Sequence, residues 1–376
     1  MPFSLQAVAF VGATLLTAAL IALITTPVVK SLAFRVGAVD VPKDARRMHD
    51  HPIPRMGGLA IFFGFLFSVL IFLPLTPQLR GMMLGAVVIV VLGILDDIYT
   101  LGARLKFLIQ IAAALIAVSQ GNVITHLSNP NIFSPEPIWS LGVLSVPFSV
   151  LWIVAITNAV NLIDGLDGLA CGVSTISSMT LLVIALAVSE AEVAILMAAL
   201  AGACIGFLPY NLNPAKIFMG DTGSTFLGYV LAVVSIQGLF KYATIISFAV
   251  PFLLMGLPIF DTCFAILRRV SHGQSPMSPD RGHIHHRLID MGLSQKQAVA
   301  VLYVISAILG LSAVVLTTNG VTKAMIFLAS LGTAGGVAAM LFLGKESGTP
   351  PRRTRRPPPD VAGNDHFFGE EERSDK

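Results

Sequence analysis

Apolar residues form long blocks along this chain, and short polar clusters separate the blocks. Blocks long enough to cross the ~30 Å hydrocarbon core of a bilayer occur at about eleven places. They cover approximately residues 8–29, 57–75, 81–95, 106–124, 139–157, 169–188, 192–210, 224–240, 242–267, 298–318 and 324–344. Because the third and eighth blocks are short, a bundle of ten spans is the alternative. The pattern predicts an all-α, polytopic integral membrane protein.

The composition supports this fold class. Of the 376 residues, 55% are hydrophobic and 12% are charged, and the mean hydropathy is +0.81. A soluble domain carries about 25% charged residues, so a soluble protein of this length is excluded. After residue 344 the chain becomes rich in Arg, Pro and Glu. We therefore predict a transmembrane domain over 1–344 and a disordered cytoplasmic tail over 345–376.

The positions of the basic residues predict the orientation. With the N-terminus outside, only Arg80, Lys241 and Lys323 of the 24 lysines and arginines lie outside, as the positive-inside rule requires. The polar clusters then all face the cytoplasm. This one-sided arrangement favours an enzyme with a cytoplasmic active site. The alternative is a transporter or flippase, which would spread polar groups through the spans towards the midplane.

Two adjacent carboxylates, Asp96 and Asp97, end the third apolar block. Neighbouring carboxylates suit a hard cation such as Mg²⁺, which prefers oxygen ligands. Arg104 and Lys106 follow closely and could hold phosphate oxygens. The alternative is a solvated helix end, followed by residues that only set the topology.

Two amides and then two carboxylates recur at every third residue, at Asn158, Asn161, Asp164 and Asp167. In a helix, such residues are neighbours on one side. A set of this kind suits a ligand rich in hydroxyl and phosphate groups. A structural polar network at a helix end is the alternative.

A third polar cluster, Phe218–Ser224, precedes the eighth block and contains Asp221 between two glycines. A helix N-terminus attracts anions, but a carboxylate there would repel a phosphate unless a divalent metal lay between them. This conflict favours Asp221 as a metal ligand. The alternative is that Asp221 caps the helix.

Three histidines and an arginine, His283, His285, His286 and Arg287, lie in the longest internal cytoplasmic loop. No cysteine or second histidine pair accompanies them, so pyrophosphate recognition is favoured over zinc binding. A solvated basic loop is the alternative, and the basic loop of residues 44–55 is a further candidate for holding substrate.

Asp261 lies unusually deep in the ninth block. We expect it to contribute to the site, and the alternative is an ion pair with Arg268 or Arg269.

Together these segments resemble the polyprenyl-phosphate N-acetylhexosamine-1-phosphate transferase superfamily. The matching residues are Leu95-Asp96-Asp97, Asn158 to Ala170, Phe218 to Ser224, and His283 to Leu288. The resemblance implies transfer of a sugar-1-phosphate from a UDP-sugar to undecaprenyl phosphate, with release of UMP. The His-Ile-His-His-Arg sequence looks like the UDP-GlcNAc branch, which initiates O-antigen, common-antigen or teichoic-acid polymers. The alternative within the superfamily is the phospho-MurNAc-pentapeptide translocase.

The resemblance also implies roles for the site residues. The expected catalytic residues are Asp96, Asp97, Asp164 and Asp167, and the expected ligands of Mg²⁺ or Mn²⁺ are Asp221, Asp97 and Asp164. The expected substrate-binding residues are Asn158, Asn161, His283, His285, His286, Arg287, Arg104 and Lys106. Direct attack by the lipid phosphate is favoured, and a covalent aspartyl intermediate is the competing scheme.

We further expect a multi-pass protein of the bacterial cytoplasmic membrane. Its partners would be UDP-GlcNAc, undecaprenyl phosphate and membrane lipids, and no nucleic acid. The sequence leaves open whether it forms a homodimer.

Overall fold

Twelve α-helices account for most of the residues that the computed structural model describes, which are 5–42, 51–128, 138–238, 245–274 and 282–317, with single positions at 326, 329 and 333. The described residues fall within one compact unit, Met1–Gly336. The predicted last span (324–344) and the tail lie outside the described residues, apart from those single positions. The helices are α1 Leu5–Val36, α2 Gly58–Phe72, α3 Pro77–Tyr99, α4 Ala103–Ser119, α5 Ser145–Leu162, α6 Leu169–Ala187, α7 Ala191–Asn211, α8 Gly220–Gly238, α9 Ile245–Leu254, α10 Gly256–Ser271, α11 Ile284–Asp290 and α12 Gln295–Thr317.

Two short antiparallel hairpins complete the described secondary structure. β1 (Val39–Asp40) pairs with β2 (Ile53–Pro54), and β3 (His126–Ser128) pairs with β4 (Ile138–Ser140). A 3₁₀ turn, Gly142–Leu144, leads from β4 into α5.

Within the part of the chain that the structure describes, six segments are long and apolar enough to cross a membrane: Val8–Val36, Pro77–Tyr99, Gly142–Leu162, Leu169–Ala187, Ala191–Asn211 and Gln295–Thr317. A seventh apolar helix, Gly58–Phe72, is shorter. The chain is therefore an all-α, multi-pass membrane protein. The count of ten or eleven spans and the orientation stay predictions.

Helix α8 lies at the centre of the packing. Its residues are buried without a break from Thr222 to Gly238, because α3, α5 and α2 all pack against it. Around this group, α1 packs along α7 and α2, and α12 packs on α6 and α9. The N-terminal end of α8 and the C-terminal end of α3 consequently meet, and the candidate site is built where they do.

Three predicted boundaries were wrong in ways that affect the site. The span predicted to end at 157 continues as α5 to Leu162, so the first two residues of the amide–carboxylate motif lie in its last turns. The span predicted at 106–124 begins earlier as α4, at Ala103. The single span predicted at 242–267 is divided into α9 and α10 at Met255. Hydropathy averages over a window, so it does not detect a one-residue break between two apolar helices.

Candidate active site

Asp97, at the end of α3, caps the first turn of α8. One carboxylate oxygen accepts the Asp221 N–H at 3.0 Å, and the other accepts the Thr222 N–H at 3.1 Å and its hydroxyl at 2.6 Å. These bonds satisfy backbone donors that have no partner within a helix. The sequence left open that Asp221 caps α8. In the structure Asp97, which belongs to another helix, supplies this cap.

A glycine makes this approach possible. Gly220 has a φ of +73°, and a Cβ at this position would collide with the Asp97 carboxylate. Any larger residue would be strained and would push the two helix ends apart. The glycines of the Phe218–Ser224 cluster thus act through close packing, in addition to freeing backbone N–H groups.

Lys106 joins two carboxylates across this junction. Its ammonium lies 2.7 Å from Asp96 Oδ2 and 3.0 Å from Asp221 Oδ2. Asp96 also accepts the Leu101 N–H at 2.6 Å, which fixes the short turn between α3 and α4. Because α4 starts at Ala103, Lys106 lies in its first turn and reaches back over the acidic cluster. The sequence suggested a phosphate contact for Lys106, and the structure pairs it with carboxylates.

The last turn of α5 contributes an amide. Asn161 Nδ2 donates to Asp221 Oδ1 at 3.0 Å and to Ser224 Oγ at 2.8 Å. Asn158 lies one turn earlier and donates to Gln110 Oε1 at 2.6 Å. Of the two amides, Asn161 contacts the acidic cluster directly, and Asn158 lies behind it.

Asp164 occupies the turn between α5 and α6. It is partly buried, and burial, followed by the charges of Asp221 and Asp97, raises the pKa of its carboxyl to about 8, although Arg55 acts in the opposite direction. A carboxyl held in this way gains from a nearby cation, since a cation removes the repulsion that raises the pKa. Arg55 itself pairs with Asp40 at 2.9 Å.

Asp167, three residues further on, is used differently. Its Oδ2 accepts from Asn213 Nδ2 at 2.9 Å and from the Ala215 N–H at 3.0 Å. Asn213 also donates to Gln295 at the start of α12. Asp167 therefore fixes the connection after α7, and its catalytic role stays a prediction.

The histidine motif approaches the same turn from the other side. His283 and His285 are buried, and a Cβ on Gly165 would collide with the His285 imidazole, so His285 lies against the residue that follows Asp164. Burial, followed by the charge of His286, lowers the pKa of His285 to about 4. At neutral pH His285 is therefore uncharged.

The remaining candidates lie at the margin. Arg104 and Arg287 are exposed, and His286 is partly buried. Their substrate-binding roles stay predictions. Residues 44–50 of the basic loop lie outside the described residues.

Sequence reasoning missed two partners. Gln110 is buried four residues after Lys106 on the same helix face, and an amide in an apolar block was the signal that could have identified it. Asn213 follows α7 in a segment without any motif, so no local signal pointed to its bond with Asp167.

The residues fit a divalent cation in chemistry. Asp96, Asp97, Asp164 and Asp221 bring carboxylate oxygens to one junction, and hard cations prefer oxygen ligands. Among the described residues, however, no three His, Cys, Asp or Glu side chains are arranged around a common metal position. Both oxygens of Asp97 are bonded to α8, and those of Asp221 accept from Lys106 and Asn161. A cation on Asp221 would therefore take the place of the Lys106 ammonium, with Asp164 as a second oxygen ligand.

Comparison with known proteins identifies relatives over most of the chain. The family model described as glycosyl transferase family 4 matches residues 79–239. A protein of Bacillus subtilis named as a probable undecaprenyl-phosphate N-acetylglucosaminyl 1-phosphate transferase is 48% identical over 295 residues, or 78% of this chain and 81% of the relative. A decaprenyl-phosphate N-acetylglucosaminephosphotransferase of Mycolicibacterium smegmatis is 38% identical, over 80% of this chain and 79% of the relative. An undecaprenyl-phosphate alpha-N-acetylglucosaminyl 1-phosphate transferase of Thermotoga maritima is 33% identical, over 71% of this chain and 78% of the relative.

Proposed function

Because the chain belongs to glycosyl transferase family 4, in the branch of the undecaprenyl-phosphate N-acetylglucosaminyl 1-phosphate transferases, we propose that it transfers N-acetylglucosamine-1-phosphate from UDP-GlcNAc to undecaprenyl phosphate. An oxygen of the lipid phosphate attacks the β-phosphorus of UDP-GlcNAc. The bond from that phosphorus to the bridging oxygen breaks, UMP leaves, and the product is a lipid-linked pyrophosphoryl sugar. The observation that carries the proposal is the junction at which Asp97 caps α8 and Lys106 pairs Asp96 with Asp221.

Two polyanions must meet in this reaction, so charge neutralisation dominates the chemistry. We assign Asp221 and Asp164 as the residues that would hold Mg²⁺ or Mn²⁺, with Asp97 as a further oxygen donor. When bound, the ion would neutralise phosphate oxygens and stabilise the charge that develops in transfer. Asp97 keeps the helix that carries Asp221 in position.

Asp96 and Lys106 are assigned to the acceptor side. The second pKa of a phosphate monoester is about 6, so the lipid phosphate is largely deprotonated at neutral pH and needs positioning more than a base. The Lys106 ammonium attracts the phosphate, and Asp96 holds that ammonium at 2.7 Å. Trapping of label on Asp96 or Asp97 with UDP-GlcNAc alone would contradict direct transfer and favour the covalent scheme.

The histidine motif is assigned to the donor. His283, His285, His286 and Arg287 would hold the pyrophosphate and the sugar. His285, whose pKa burial lowers to about 4, is assigned a hydrogen-bonding role. Asn158, Asn161 and Asp167 organise the amide–carboxylate side of the site, and Arg104 adds positive charge at its margin.

The proposal extends to the setting. We infer that the protein lies in the bacterial cytoplasmic membrane, with the site facing the cytoplasm, and initiates a cell-envelope glycan there. The printed names of the relatives favour UDP-GlcNAc over UDP-MurNAc-pentapeptide as donor. The 48% identity to an undecaprenyl-phosphate enzyme, against 38% to a decaprenyl-phosphate enzyme, favours undecaprenyl phosphate as acceptor.

The test follows UMP release from purified protein in lipid nanodiscs with undecaprenyl phosphate, Mg²⁺ and UDP-GlcNAc. Asp221→Asn should reduce the rate by roughly 100-fold or more, the loss typical of removing a major electrostatic contact. Glu192→Gln is the matched control, because Glu192 bonds Thr76 at the other end of the bundle. Release only with UDP-MurNAc-pentapeptide would overturn the donor assignment. No release with any UDP-sugar from folded protein would favour a transporter.

A further inference from the structure

Asp261 is a buried acid with both carboxylate oxygens in use. It lies within α10 and is 3% exposed. Oδ2 is 2.8 Å from His283 Nδ1, and Oδ1 accepts the Ile284 N–H at 2.8 Å. An acid among apolar membrane helices is costly and is retained where it has a partner or a function. Both partners of Asp261 belong to the histidine motif.

The contact fixes which nitrogen of His283 carries hydrogen. A carboxylate only accepts hydrogen bonds, so Nδ1 must be the donor. Nε2 lies across the ring and therefore points away from α10. With Nδ1 protonated, the neutral ring has its lone pair on Nε2, the atom left for a ligand.

The same contact aligns the rest of the motif. The bond to Ile284 holds the first residue of α11. The rings of His283 and His285 are nearly parallel, with an interplanar angle of 9° and centroids 5.7 Å apart. His285 in turn lies against Gly165, next to Asp164. A continuous series of contacts therefore links α10 to the acidic cluster.

We propose that Asp261 is a positioning residue of this enzyme, which fixes the tautomer of His283 and holds the start of α11 against the Asp164–Gly165 turn. Asp261 acts through His283 and is not itself a catalytic residue. This inference rests on the proposed function, because it assigns Asp261 a place in binding the pyrophosphoryl donor. It replaces the expected alternative of a structural ion pair with Arg268 or Arg269.

The test compares Asp261→Asn, His283→Asn and the double variant in the UMP-release assay. An asparagine offers a single oxygen, so one of the two donors loses its acceptor. We expect Asp261→Asn to lower kcat/KM for UDP-GlcNAc by roughly tenfold or more, a loss typical of a misplaced contact group. The double variant should be no less active than His283→Asn alone. Asp290→Asn, at the exposed end of α11, is the control and should retain wild-type activity.

A second measurement separates this inference from the proposed function. In ¹⁵N-histidine-labelled protein at pH 8, NMR should show His283 as the Nδ1–H tautomer, and Asp261→Asn should shift it towards Nε2–H. An active wild-type protein with unchanged activity in Asp261→Asn would overturn the inference, as would losses that multiply in the double variant. An Nε2–H tautomer in the wild type would also overturn the inference, whether or not the preparation is active. Absence of transferase activity would refute the proposed function, and the tautomer measurement does not depend on it.

Discussion

The two ends of the α3–α8 pair are joined by different polar groups, neutral amides at one end and charged side chains at the other. At one end, near the start of α3, Gln237 donates to Asn122 at 2.6 Å, and Asn122 donates to the Gln78 carbonyl at 2.9 Å. Both amides are buried, at 5% and 1% exposure. These neutral groups satisfy one another, so this end needs nothing from outside the chain.

At the other end, the same two helices meet through carboxylates. Asp96, Asp97 and Asp221 converge there, and Lys106 pairs with two of them. Neutral amides would cap these helix ends at a lower cost of desolvation, because buried ions are expensive. The excess of carboxylates is therefore understandable as a requirement of the ligand and not of the fold. The difference separates the end that stabilises the bundle from the end that performs the chemistry.

After Asp221→Asn, the largest effect on activity is expected from removing the ammonium group of Lys106. Lys106→Met should lower kcat/KM by roughly 100-fold, because the acceptor phosphate loses its ammonium and two carboxylates lose their partner. Lys106→Arg keeps the charge and should recover part of the rate. UMP release is the measurement. An active Lys106→Met protein would mean that the charged end is structural like the neutral one.

A smaller effect is expected from the contact between the turn and the histidine motif. Gly165→Ala adds a methyl group that collides with His285 and should lower kcat/KM by roughly tenfold through displacement of the imidazole. Gly12→Ala is the matched control, since a Cβ there meets no atom within 4 Å. If both variants behave like the wild type, His285 is not held against the acidic turn during catalysis.

The sequence predicted the charged end well, because the charges themselves are the signal. Asp96-Asp97 and Asp221 interrupt apolar blocks at their ends, and carboxylates in that position are too costly to be incidental. The structure brings both clusters together as expected. Asp261 was flagged for the same reason, and the structure places it 2.8 Å from His283 of the histidine motif. Its contribution to the site stays a prediction.

What the sequence did not predict is which partner each polar group takes. Asp97 caps a helix more than 120 residues away, at Thr222, and Asp167 bonds a loop that carries no motif. Periodicity reports the face of a helix but not the neighbour that covers it. The neutral end was missed for a related reason, since Asn122 and Gln237 carry no charge to mark them.

A variant at the neutral end should affect stability and leave catalysis unchanged. Gln237→Leu removes the donor to Asn122 and leaves a buried acceptor unpaired, which costs roughly 1–3 kcal/mol. Thermal unfolding in nanodiscs should show the loss, whereas kcat/KM should stay within about twofold because the site is distant. A large loss of activity without a loss of stability would show that the two ends are coupled.

The smallest expected effect is the pH dependence of stability that His285 causes. Burial, followed by the charge of His286, lowers the pKa of His285 to about 4, with His283 acting in the same direction and Asp261 opposing it. The ordinary pKa is about 6.5, so between pH 6.5 and 4 the unfolded chain binds a proton that the folded protein does not. The contribution of the uncharged His285 to the free energy of unfolding is therefore fully present above about pH 6.5, and it is lost as the pH decreases towards 4. Between pH 7 and pH 6 this contribution changes by less than about 1 kcal/mol.

His285→Gln should flatten the decline in unfolding temperature below pH 6.5, whereas His272→Gln, at an exposed histidine, should not. An equal decline in the wild type and His285→Gln would mean that this imidazole is accessible to protons in the folded protein, and that the histidine motif binds its ligand through charge after all.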